Sequence, residues 1–422
     1  MSKSRGRVLV LDENLSVPFD RRVWQECRSL KGMGLDVSVV CPRGVEEDKT
    51  SFEELDGVRI YRFPFKPAQG GPASYVREYT SAVTSIARLA RRLNREERFD
   101  VVHACNPPDL LLPAVASLKW GGTALIFDHH DLVPELYLSR FGRGKDIVYY
   151  GTLATERLTF RLADVVISTN ESYRDVAIGR GKKNPEDVFV VRSAPDLSRF
   201  SERSPELTLK RGRDYLIGYV GVMGPQDGVD HALRALALLK VERQDWHAIF
   251  IGSGDVQPAM KQLSVELGLA DSVEFPGRVS DDEVLKLLST ADVCLAPDPK
   301  NPLNNLSTMN KVAEYMAMAR PIVAYDLVEA RVSAGDAALY AVDERDFARC
   351  ISTLLSDAGQ RAEMGRIGRA RVEQALSWEH SERSLYEAYA RALRYAGVGG
   401  ARSNGGLRGR FSARGDKASV RA

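Results

Sequence analysis

The sequence predicts a parallel α/β fold, doubly wound and built twice along one chain. Short apolar runs of strand length alternate with longer helical patterns over most of the chain, as in a parallel sheet covered on both faces. The alternation lapses once, over SAPDLSRFSERSPELTLKRGRD (Ser193–Asp214), and then restarts. A chain of 422 residues is also too long for one ordinary core.

In the first half, Val8–Leu11 reads as a buried strand, followed by the loop Asp12–Phe19. Asp20 is placed to cap a helix from Arg21 to Lys31, which Gly32 or Gly34 ends. Further strands are expected at Val37–Val40, Val58–Tyr61, Val101–His103, Ala124–Phe127, Val165–Ser168 and Val188–Val191. Helical patterns fill Tyr75–Leu93, Leu110–Leu118, Asp146–Leu162 and Glu171–Ile178. In the second half, strands are expected at Leu216–Val220, Ala248–Ile251, Val273–Phe275, Val293–Leu295 and Pro321–Tyr325, with helices between them. Arg361–Tyr395 is helical with a break near Ser377–Trp378, and the Gly/Arg/Ser-rich end is expected to be disordered.

Composition excludes several classes. The last 24 residues carry six Arg/Lys against one Asp, so the body is close to neutral and no polyanion or nucleic-acid binder. The five cysteines show no CxxC or metal-like spacing, which suits a reducing compartment and predicts no metal site. The N-terminal apolar run is too short for a signal peptide, and Leu110–Leu118 is far short of a membrane span. A cytoplasmic location is expected.

Ligands of open parallel sheets bind beyond the carboxyl ends of the strands. Four polar or Gly-rich segments fall there in the second half: GVMGPQDG with Gly221 and Gly224, GSGD with Gly252 and Gly254, PGRVS with Gly277, Arg278 and Val279, and the long loop Pro297–Met309. If the helix after that loop starts near Thr308, then Ser307, Lys311 and Glu314 share one face. Lys311 is then a cation in a helix's first turn, an unfavourable place unless an anion binds there. The plainer alternative is a solvated lysine paired with Glu314. In the first half, DHHDLVPE places His130 and Asp131 at a strand end, and His103 ends another strand; His129 reads as an interior histidine. His231, His247 and His380 read as structural or exposed.

Together with the element order, FDHHDLVPE, VVRSAPDLSRF, GYVGVMGPQDGVDHALRAL, FIGSGD, VEFPGRVSDDEVLKLLSTADVCLAPD and NKVAEYMAMARPIVAYDL resemble glycosyltransferase family 4 of the GT-B fold, over roughly residues 7–397. The resemblance implies two Rossmann-like domains facing a cleft: an acceptor domain (1–195), a linker (196–214) and a nucleotide-sugar donor domain (215–376). It also implies a helix (377–397) returning to the first domain, ahead of the basic tail (398–422). It implies retaining transfer without a bound metal or cofactor, the nucleoside diphosphate sugar being the donor substrate. By the same carry-over His130 contacts the donor sugar, Glu314 holds the ribose, Gly277–Val279 pass the nucleobase, and the backbone of Ser307, Thr308 and Met309 meets the pyrophosphate. The resemblance is greatest to a subgroup making surface polysaccharides, whose acceptor is often a glycan on a lipid carrier. The arginine-rich helix end Ala87–Arg98 is then a candidate contact with an anionic membrane surface, the plainer alternative being an exposed helix face.

Three departures from the family pattern stand out. Leu306 occupies the first glutamate of E-x7-E, Val222 and Asp227 occupy the usual phosphate-binding arginine and lysine, and ENLSVPFDRR replaces the first glycine-rich loop. A departing diphosphate needs its charge stabilised. Lys311 is the candidate substitute, with Arg21 and Arg22 as a second, weaker pair. Two other readings stay open: a GT-B sugar-nucleotide epimerase or hydrolase, and a catalytically silent GT-B scaffold. A dinucleotide oxidoreductase is disfavoured, because GSGD lacks the third glycine of the fingerprint.

Overall fold

The computed structural model describes residues 6–44, 50–65, 72–141 and 144–398, the side chains of 72–76 excepted. Of the basic tail, 399–422 lies outside the described residues. Among the described residues there are fourteen strands: β1 (Arg7–Leu11), β2 (Asp36–Pro42), β3 (Phe52–Leu55), β4 (Val58–Phe63), β5 (Val101–Cys105), β6 (Ala124–His129), β7 (Val165–Ser168), β8 (Val188–Val190), β9 (Tyr215–Val220), β10 (Trp246–Ile251), β11 (Val273–Gly277), β12 (Val293–Ala296), β13 (Ile322–Tyr325) and β14 (Ala338–Ala341).

They form two sheets, ordered β3-β4-β2-β1-β5-β6-β7-β8 and β11-β10-β9-β12-β13-β14. The pairings β1–β2, β1–β5, β9–β10 and β12–β13 are all parallel. Strands such as β1, β10 and β12 are buried along almost their whole length, which is why they read as continuous apolar runs rather than alternating ones. β3 pairs antiparallel with β4. It escapes the sequence pattern because FEEL is a short, half-exposed edge strand. The signal present was the turn Asp56–Gly57, both with positive φ, a pairing that favours two-residue hairpins.

Two helices are also additions to the expected set, Val133–Phe141 and Val328–Ala334. The second follows β13. The helix after β12, expected at Asn310–Met318, runs from Asn310 to Ala317, with Met309 extended at its cap position.

By contacts the chain divides into two units: residues up to Asp128 with Thr159–Val166 and everything from Tyr386 on, and His129–Leu158 with Ile167–Leu385. Asn170, Ser172 and Tyr173 fall in the second unit together with Leu306, Ser307, Thr308 and Glu329, to which they hydrogen-bond (below). The C-terminal helix Trp378–Tyr395 carries its second half into the first unit. Leu385, Ala388, Tyr389 and Ala392 recur at helical spacing and are fully buried, and the Tyr386 hydroxyl donates to the Ser29 carbonyl at 3.4 Å.

Candidate functional site

The second sheet reads 3-2-1-4-5-6 in its own strand numbering, so connections leave β9 and β12 in opposite directions. The crevice at the carboxyl ends of such a pair is where open α/β sheets bind ligands. Here the loop after β9 and the loop after β12 are tied together, the Asn304 side-chain amide donating to the carbonyls of Gln226 at 2.8 Å and Pro299 at 2.9 Å.

Lys311 enters this crevice from the second position of the helix Asn310–Ala317. It does not lie on a solvated face with Glu314. It is buried, and its ammonium donates to both Asp298 oxygens at 2.8 and 3.0 Å. The Nζ also lies 5.2 Å from the centre of the Tyr219 ring. Burial alone would pull the ammonium down, but Asp298, Tyr219 and Asp227 carry it well up, so it stays charged. Burial likewise pushes the Asp227 carboxyl up to about 6, against the pull of Lys311, while Asp227 accepts from the Gly224 N–H at 2.8 Å. Gly221 completes the packing: a Cβ there would meet the Tyr219 hydroxyl at 3.0 Å and Lys311 Cε at 3.3 Å. The first N–H groups of the helix have no intrahelical acceptor, and Met309 supplies no side-chain cap.

The approach to that helix is held by side chains. The Asn170 amide donates to the Leu306 carbonyl at 2.8 Å and to Thr308 Oγ1 at 3.0 Å. Tyr173 OH and Ser307 Oγ are 2.9 Å apart, and Ser172 Oγ donates to the buried Glu329 at 2.6 Å. The hydroxyls of Ser307 and Thr308 are therefore held by protein groups, leaving their backbone as what they could offer a ligand. These bonds hold Ser307 and Thr308 outside the helix that starts at Asn310. Leu306 packs against an apolar cluster of Leu132, Tyr173 and Leu303, so an apolar residue suits the position and a glutamate would not.

The Gly-rich loops lace onto one another. Met223 N–H donates to Ser253 O at 3.1 Å, and Gly252 N–H to Gly277 O at 2.9 Å. Gly252 has φ +136°, and a Cβ there would fall 1.8 Å from the Gly221 carbonyl oxygen; one at Gly254 would fall 2.4 Å from that of Met223. These glycines let backbone approach backbone. Arg278 is exposed and Val279 half-buried just beyond β11. A residue not anticipated from sequence joins this group: Arg140, from the helix Val133–Phe141, donates to Asp255 at 2.5 Å.

In the first unit, His103, expected to line the same cleft as His130, turns inward instead. Its side chain is fully buried, with Nδ1 2.7 Å from Tyr389 OH and Nε2 3.1 Å from Asp128. Arg22 joins the same group, 3.1 Å from both Asp128 and Glu26. Burial and the nearby Asp128 push the Glu26 carboxyl up although Arg22 opposes them. Arg22 is thus an internal counter-ion rather than a cation offered to a ligand, whereas Arg21 is exposed. His103, Cys105 and Asp128 place ligand-type atoms within 4.8 Å of one another, a grouping invisible in the cysteine spacing. Burial keeps the Cys105 thiol well above its usual value, and His103 and Arg22 already hold Asp128, so these residues form a hydrogen-bonded core. After β1, Asp12 and Glu13 are both buried, and burial, then Glu78 and Asp12, push Glu13 up to about 9.

In the second unit His130 and Asp131 are half-buried; burial raises the Asp131 carboxyl although His130 pulls it down. His129 is fully buried with its ring 5.2 Å from that of Tyr173. His231 sits 2.7 Å from Glu344, and His247 is buried.

Two family models match this chain: "Glycosyl transferase 4-like domain" over residues 20–193 and "Glycosyl transferases group 1" over 214–357. The chain belongs to glycosyltransferase family 4. A curated relative, the MMP alpha-(1->4)-mannosyltransferase of Mycolicibacterium hassiacum, is 27% identical over 320 residues, covering 72% of this chain and 74% of the relative. Among solved structures, the sucrose-phosphate synthase of Thermosynechococcus elongatus superimposes with a TM-score of 0.74 at 17% identity, covering 92% of this chain and 99% of that one. Anabaena HepE, solved with UDP and glucose, gives 0.68 at 16% identity, with 91% and 99% covered. The fold is therefore GT-B, with a Rossmann-like sheet in each half. This glycosyltransferase has no helix, among the described residues, long and apolar enough to cross a membrane.

Proposed function

We propose that this glycosyltransferase moves a sugar, with retention at the anomeric carbon, from a nucleoside diphosphate donor to a glycan or lipid-linked acceptor in cell-surface polysaccharide assembly. The observation that carries the reading is the second sheet's switch point, where a buried charged lysine and an uncapped helix N-terminus come together. Such a terminus favours a diphosphate, and Lys311 adds a fixed positive charge beside it. Glu314, one turn further along the helix and half-buried, is the candidate for the donor's ribose. His130 and Asp131 are the candidates for the sugar side, and Gly277–Val279 for the base. HepE, solved with UDP and glucose, supports a nucleotide-sugar donor.

The transfer proceeds without a metal in this reading, the developing charge on the leaving diphosphate being met by protein cations and N–H groups. The enzyme works in the cytoplasm, with peripheral contact at an anionic membrane surface through the exposed Arg88, Arg92, Arg95 and Arg98. A panel of nucleoside diphosphate sugars, scored by release of the nucleoside diphosphate with and without a lipid-linked glycan, tests the proposal. Release that requires acceptor supports it; product from donor alone indicates an epimerase or hydrolase, and no turnover with any donor overturns it.

A further inference from the structure

The loop that follows β9, GVMGPQDG, carries no cation and one acid, Asp227. A diphosphate bound beside it must find its positive partners on other elements. Two cations act on Asp227: Lys311 and Arg140. They are held in very different ways. Lys311 is buried and engaged by both oxygens of Asp298, with side chains 9% and 2% exposed. Withdrawing it from that carboxylate would strand a buried charge, which is costly. Arg140 and Asp255 instead form an ion pair with side chains 30% and 66% exposed. Pairs of that kind contribute little net stability, so breaking one costs little. Asp255 directly follows Gly254, whose backbone lies against Met223 of the loop after β9, so Arg140 is tethered at the edge of the crevice.

We infer that Arg140 is the exchangeable cation of the donor site, resting on Asp255 in the free enzyme and transferring its guanidinium to the donor's diphosphate when that binds. The planar guanidinium suits phosphate oxygens as well as carboxylate ones, so exchanging Asp255 for a phosphate keeps the hydrogen-bond geometry. Lys311 then provides a fixed background charge, and Arg140 the contact made only with ligand present. This assignment rests on the donor reading above and identifies which side chain meets the diphosphate.

Calorimetry with UDP, ADP, GDP and inorganic pyrophosphate tests it, on the wild type and on Arg140→Ala, Arg140→Lys and Asp255→Asn, with thermal unfolding as the check on folding. Arg140→Ala is expected to weaken the best-bound diphosphate at least about tenfold, as loss of a charge-assisted hydrogen bond would. Arg140→Lys should be intermediate. Asp255→Asn should leave affinity unchanged or tighten it, because the competing carboxylate is gone. Wild-type affinity in Arg140→Ala overturns the inference, as does an equal loss in Asp255→Asn, which would mark the pair as structural. If the wild type binds none of the four probes, the donor reading itself fails and the role of Arg140 with it.

Discussion

Lys311 Nζ lies 2.8 and 3.0 Å from the two carboxylate oxygens of Asp298, and both side chains are buried. The pair joins the end of β12 to the helix Asn310–Ala317, so one interaction braces the crevice. Breaking it from one side strands a buried ion. Lys311→Met should therefore cost roughly 3–5 kcal/mol of stability. The double variant Lys311→Met/Asp298→Asn should recover much of that loss. Urea denaturation of the single and double variants checks this, and additive losses would show that the two groups do not act as a pair.

Glu314→Ala is expected to weaken binding of the nucleoside diphosphate by about tenfold, the worth of one hydrogen bond to a charged group, with little change in melting temperature because the side chain is half-buried. Titration with the nucleoside and the nucleoside diphosphate should show the loss for both, placing it on the ribose rather than the phosphates.

The Asp227 carboxyl is raised to about 6, above the ordinary range of an aspartate. Its contribution to stability is full below the unfolded value near 4 and is lost as pH rises through about 6. Its charge also repels a diphosphate once it ionises. Affinity for the donor should then fall as pH rises through about 6, and Asp227→Asn should flatten that part of the profile. An unchanged profile in the variant would assign the titration to another group.

Glu13 is raised to about 9 by burial and by Glu78 and Asp12. The sign is the same: stability is fully present below the unfolded value of about 4.5 and is lost progressively as pH rises to about 9. Glu13→Gln keeps the shape without the charge, so at pH 8 it should be more stable than the wild type by at least about 1.4 kcal/mol, one pK unit's worth. At pH 4 the two should be alike. Melting curves at both pH values check the difference.

Much of the scaffold was legible because parallel strands buried on both faces leave continuous apolar runs, and Val8–Leu11, Val165–Ser168 and Val293–Leu295 read directly. β3 was missed because an exposed edge strand has no such run, and Val133–Phe141 because Pro134 and the adjoining polar residues read as a loop. Within the candidate site, Lys311 stood out as a cation in a helix's first turn. Its partner did not, since Asp298 lies 13 positions away across a loop. A single aspartate directly after a buried strand, in LAPDPK, was the signal available. Arg140 and Asp255 are 115 positions apart, and nothing local to either marks the other.

The sequence by itself determined the periodicity and hence the fold class, the loops that fall at strand ends, and the residues that break the family pattern, because each of these is written in local order and spacing. Tertiary structure decided which charges neutralise one another. It turned His103 and Arg22 inward around Asp128, buried Lys311 on Asp298, and brought Arg140 beside the loop that lacks a cation. The reason is that electrostatic partnership depends on distance and burial, and neither is set until the loops of a parallel sheet have closed against each other.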